Sequence, residues 1–201
     1  MKKIVKLCAC SVIFGLCFGL GGLLADKQTL KEDIIRLHVI ANSDSAEDQR
    51  LKLYVRDSIV TFLTPLTQGL DGKEEAMSVL QDNLAQIRKI ANNVLKNAGV
   101  SYRAEVKLTQ EAYDTREYDA FSLPAGIYDS LQIQLGASAG KNWWCVVFPS
   151  FCLGATSAEF SEVAAASGFD ETMTKTLAGE SAYEIRFFFL DCLGRLEKFF
   201  Y

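Results

Sequence analysis

Apolar and polar residues alternate between Ile34 and Ile40, with Ile35, Leu37 and Val39 on one side of an extended chain and Arg36 and His38 on the other. A period of two predicts a strand. Asn42-Ser43-Asp44-Ser45 then reads as a turn, and Ser45 with Asp48 has the spacing of a capping box for the helix that follows. In that helix Leu51, Val55, Ile59 and Phe62 recur at helical spacing, and Pro65 is its predicted end. A second helix is predicted from Lys73 to Asn97, with Ala76, Leu80, Leu84, Ile87, Ala91 and Val94 as its buried stripe and Gly99 as its stop.

Beyond Gly99 the period returns to two. Tyr102, Ala104, Val106 and Leu108 alternate with charged residues, and Leu131, Ile133 and Leu135 alternate with Ser130, Gln132 and Gln134. Each pattern predicts a strand with one covered and one wet face. Trp143–Phe148 is apolar throughout, which predicts a central strand covered on both sides. Ser157–Ala178, rich in Ala and Ser, predicts one or two short helices. Tyr183–Leu190, with Tyr183, Ile185, Phe187 and Phe189 in alternation, predicts a last strand. The fold class is α+β: one domain, two helices packed on a mixed, largely antiparallel sheet, preceded by an N-terminal signal or anchor helix.

That N-terminal segment changes the picture. Lys2, Lys3 and Lys6 form a basic start, and the nineteen residues Leu7–Ala25 carry no charge. This is a secretory signal peptide, or an uncleaved anchor just long enough to span a bilayer. The organisation is therefore 1–25 signal or membrane anchor and 26–201 exported domain, with polar Asp26–Asp33 as a short linker. Without residues 1–25 the chain keeps 18 basic and 25 acidic residues, a net charge of −7. Such a surface argues against nucleic acid, whose phosphates need a basic face, and against electrostatic attraction to anionic lipid. A protein partner is expected, with membrane contact through the signal or anchor segment.

Three of the six cysteines lie in the signal; Cys145, Cys152 and Cys192 remain. Outside the cytosol Cys145 and Cys152 could pair, closing a short loop worth about 2.5 kcal/mol on the chain-entropy model. Equally, all three could be small buried hydrophobes. His38 is the lone histidine, and no C-x2-C pair accompanies it, so no metal site and no cofactor are expected. A cysteine hydrolase would need Cys145 as nucleophile, His38 as base and Asn42 or Asp44 to orient it. Against it, Cys145 sits inside a β-run, not at a helix N-terminus. Gly136–Asn142 fails as a phosphate loop: it is one residue short between its glycines, lacks the Ser or Thr that would reach Mg²⁺, and runs into a strand. It reads instead as a β-hairpin connection. No Asp-Thr-Gly or Asp-Ser-Gly motif supports a protease. Trp143 and Trp144 must point to opposite strand faces; one can fill the core while the other anchors a partner.

Leu123–Gly136, running into Gly140–Cys152 with its Trp143-Trp144-Cys145 run, resembles the core of the stage II sporulation protein R family. Ile35–Ser45, leading to Asp48-Gln49, resembles the same family's N-terminal core. The resemblance covers roughly Asp33 to Cys152. It implies a non-enzymatic signalling protein of endospore-forming bacteria, secreted from the forespore into the intermembrane space. There it would activate a membrane-embedded, sporulation-specific aspartic protease that processes the sigma-E precursor. The residues that match the family's pattern are Arg36, His38, Asn42, Asp44, Gly126, Asn142, Trp143, Trp144, Cys145 and Cys152, none with a catalytic role. The expected partner-binding residues are Arg36, His38, Asn142, Trp143 and Trp144. The alternative is an exported cysteine hydrolase acting on cell-wall or peptide substrate.

Overall fold

The computed structural model describes residues 21–31, 33–149, 157–166 and 169–201. The signal or anchor lies outside the described residues up to position 20, and among those described no helix is long and apolar enough to cross a membrane. Asp26–Asp33 is not a linker. The chain is helical over 21–31, here α1, with Leu30 buried and Lys27 and Lys31 spaced one turn apart on the side that meets Glu197.

A four-stranded sheet has the order β2–β5–β1–β6, formed by β1 (Ile35–Ile40), β2 (Ala104–Tyr113), β5 (Gly126–Leu135) and β6 (Asn142–Phe148). β1 runs parallel to β5 and antiparallel to β6, and β2 is antiparallel to β5. The sheet is thus mixed and largely antiparallel, as the alternation predicted. Two-residue strands β3 (Arg116–Glu117) and β4 (Ser122–Leu123) pair beside it. Because β1 separates β5 from β6, Gly136–Lys141 is not a hairpin turn; it passes over the end of β1.

Helices α2 (Ala46–Thr67) and α3 (Lys73–Asn97) cover one sheet face. Leu37, Val39, Val55, Ile59, Leu80, Ile87, Leu131 and Ile133 fill the core between. Pro65 lies inside α2, which continues for two residues; so near the end, the missing N–H removes a single helical bond. The second face is covered as well. α1, the β3–β4 pair, α4 (Ser157–Ala166), α5 (Glu171–Leu177) and α6 (Glu184–Phe200) surround a second core that includes Leu30, Ile34, Tyr113, Phe121, Tyr128, Val146, Phe160 and Leu190. The expected last strand is therefore wrong: Ser181–Tyr183 is a 3₁₀ turn and Glu184 onward is helix. β6 is an edge strand, not a central one. It is apolar because both its faces are covered, Cys145 and Val147 facing the first core and Val146 the second.

Candidate functional site

The second cover turns the supposedly wet strand face into a buried polar patch. Arg36 and His38 from β1, Ser130 and Gln132 from β5, Glu111 and Tyr113 from β2, and Trp144 from β6 project from this face. Arg36 and Ser130 are 0% exposed, His38 5% and Gln132 7%. Register places them together, since His38 lies opposite Gln132 on one side and Trp144 on the other. His38 Nδ1 donates to Glu111 Oε1 at 2.9 Å, and Gln132 Nε2 donates to the same oxygen. Tyr113 and Ser130 share a hydroxyl bond of 2.7 Å. Trp144 stacks on the His38 ring with centroids 3.7 Å apart.

Arg36 is among the largest fully buried side chains of the described residues. Its guanidinium lies 3.9 Å above the Tyr113 ring and 5.2 Å from that of Tyr128, and Nη2 donates to Tyr118 Oη at 2.8 Å. Ring faces of negative potential thus stand where a carboxylate would otherwise be needed. Arg36 Nε and Nη1, His38 Nε2, Glu111 Oε2, Gln132 Oε1 and Arg116 Nε find no hydrogen-bond partner among the described residues. Burial alone would raise the Glu111 carboxyl. Hydrogen bonds from His38, Ser130 and Gln132 outweigh that and hold it below its ordinary range. Burial pushes the Tyr113 and Tyr128 hydroxyls up, so both stay protonated donors.

The expected partner-binding residues therefore separate. Arg36 and His38 are interior and offer no surface, because α-helices cover the face that alternation marked as polar. Asn142 is exposed, and Trp143 and Trp144 are half-buried. Trp143 points to the α2 side, with Arg56 4.1 Å above its ring. Its Nε1 is unpaired among the described residues. Lys141, Asn142 and Trp143 thus form an edge beside Arg56, while Trp144 belongs to the buried patch. Glu111, Gln132, Ser130 and Tyr113 escaped sequence reasoning, since polar residues alternating along a strand signal solvent unless a second layer is foreseen.

Asn42 and Asp44 have a structural task. Asp48 accepts from Asn42 Nδ2 at 2.8 Å, from Ser43 Oγ at 2.5 Å and from Tyr102 Oη, while Ser45 caps its backbone N–H. Burial would raise the Asp48 carboxyl, but these donors, Ser43 first, pull it below its ordinary value. Asn42 Oδ1 accepts from Ala137 N, Asp44 Oδ1 from Lys141 N, and Lys52 Nζ reaches the Lys141 carbonyl at 2.9 Å. The crossover between β5 and β6 is bolted to the start of α2.

Cys145 is disulfide-bonded, and its side chain joins the first core. Cys152, its expected partner, lies outside the described residues, and Cys192 is an exposed free thiol. Cys145 aligns with Leu37 and faces away from His38, which aligns with Trp144. The nucleophile–base contact of a cysteine hydrolase is not formed, and a sulfur held in a disulfide is no thiolate. Among the described residues no group of three or more His, Cys, Asp or Glu side chains could hold a metal ion.

A family model described as stage II sporulation protein R matches residues 31–158. The chain is 34% identical, over 162 residues, to stage II sporulation protein R of Bacillus subtilis (strain 168), covering 76% of this chain and 71% of that protein. No solved structure matches it. The match takes in β1 to β6 with their two core helices, the polar patch and the bolted crossover, and it stops short of α5 and α6.

Proposed function

This chain belongs to the stage II sporulation protein R family, which gives it a role in sporulation, and from that premise we propose that it is an intercellular signal exported from the forespore. In this reading it acts in the space between the forespore and mother-cell membranes. It activates a membrane-embedded aspartic protease there, and that protease processes the sigma-E precursor. The observation that carries the proposal is the family match across 31–158, the span that builds the sheet and its first core.

Activation on this reading is binding, not chemistry. Cys145 is engaged in a disulfide and turned from His38, so the two residues on which a hydrolase would depend do not meet. The contact edge we favour is Lys141, Asn142 and Trp143 with Arg56, where a bulky ring, a cation and an exposed amide lie together. Co-expression of this chain, the candidate protease and the sigma precursor in a non-sporulating host tests the proposal. Precursor shortening should require both the protease and an exported form of this chain. Shortening without this chain, or none when all three are present and correctly located, overturns it.

A further inference from the structure

The C-terminal helix is amphipathic the wrong way round. At 100° per residue, Ile185, Phe188, Phe189, Leu196, Phe199 and Phe200 fall within about 120° of one another. That stripe faces out: Ile185 is 73% exposed, Phe199 81% and Phe200 79%. Most charged side chains of α6 turn to the protein instead, with Arg195 and Glu184 exposed at the flank. Arg186 pairs with Asp26, Glu197 with Lys27 at 3.0 Å and Lys31 at 3.4 Å, Lys198 with Asp114, and Asp191 accepts from Ala125 N at 2.8 Å. Gly194 makes this possible, since a Cβ there would overlap the Ala125 carbonyl. Polar ties hold the helix down and leave an uncharged aromatic ridge outside.

We propose that this ridge of α6 lies in the plane of a phospholipid bilayer, its aromatic side chains among the acyl chains. The occupant is argued from where the chain leads. Three of the ties run to α1, whose residues 21–25 are the end of the uncharged stretch Leu7–Ala25. Nineteen uncharged residues are about the number a helix needs to cross a hydrocarbon core. A bilayer holding that stretch would lie close to α6, to which α1 is tied. The acidic domain offers no electrostatic attraction to lipid, so the contact is apolar and insensitive to salt. A partner protein or a second copy covering the same ridge is the competing outcome.

The proposal is independent of the protease reading, and its test contains no protease. The full chain, with Cys8, Cys10 and Cys17 changed to Ser, is labelled at Cys192 within the ridge with an environment-sensitive fluorophore and reconstituted into phosphatidylcholine vesicles containing spin-labelled lipid. The control is Asn93→Cys with Cys192→Ser, placing the label on the outer side of α3 across the sheet. Lipid quenching about threefold or more stronger at 192 than at 93 is expected, unchanged by added salt. Phe188→Glu with Phe199→Glu, both exposed and hence neutral to folding, should abolish the difference while leaving the melting temperature in place. Equal quenching at the two positions overturns the proposal. So does a label at 192 that is shielded from aqueous iodide but not quenched by lipid, which would mean a protein cover.

Discussion

Trp143 and Trp144 are adjacent in sequence and opposite in task. Trp144 lies on His38 and against Tyr113 at 4.9 Å, so its removal opens a gap in a packed aromatic group. Trp144→Ala should lower stability by about 3–5 kcal/mol in urea unfolding. Trp143 stands at the edge under Arg56. Trp143→Ala should cost markedly less stability but, on the proposed function, lower protease activation by roughly thirtyfold or more. Were Trp143→Ala to unfold as readily as Trp144→Ala while activating normally when folded, the edge would be scaffold. Glu111 gives a test by pH. The unfolded chain takes up this proton near the ordinary 4.5, while the folded chain holds it off to lower pH. The stability Glu111 contributes is then complete above that value and is lost as pH falls through the folded one. Glu111→Gln has no such group, so its stability should fall less steeply from about pH 6 to about pH 3 than that of the unaltered protein. Equal slopes would place the acid sensitivity in other carboxylates.

Among the elements, the crossover from β5 to β6 depends on close approach. Gly136 has φ +55° beneath Asn42 and Tyr102, and a Cβ on Gly140 would overlap the Ser43 carbonyl oxygen. Ala139 N and Gly140 N already donate to the Asn42 and Ala41 carbonyls, so the loop has no slack to move aside. Gly140→Ala should therefore cost on the order of 1–3 kcal/mol in urea unfolding. A variant as stable as the parent would mean the loop can shift. Sequence read these elements unevenly, for physical reasons. β1, α2 and α3 were legible because their apolar residues gather on one face at a clean period, even in β1, whose polar face is buried too, and Ser45 caps α2 as its spacing foretold. α6 was misread because Tyr183, Ile185, Phe187 and Phe189 alternate over seven residues. The helical repeat shows only when the window extends to Phe200. The polar patch was half legible: Arg36 and His38 stood out, but their neighbours Glu111 and Gln132 looked solvated. Whether a second layer covers a sheet depends on residues over a hundred positions away, beyond the reach of local pattern.

At the level of the whole molecule, the earliest elements have their partners last in the chain. β1 is flanked by β5 and β6, and α1 is held by α6 through Asp26–Arg186 and Lys27–Glu197. Deleting residues 184–201 should leave α1 and the β3–β4 pair undocked. Limited thermolysin digestion should then cut the shortened protein within minutes under conditions the full chain survives. Equal resistance would show that the clasp adds nothing to closure. Were the chain exported as proposed, N-terminal end first, this order would act as a delay. β1 would emerge with both edges bare and wait through some ninety residues for β5, and α1 would wait until nearly the last residue had crossed. A stalled or clipped passenger would thus remain an open, digestible string. Completion of the fold would report completion of the crossing.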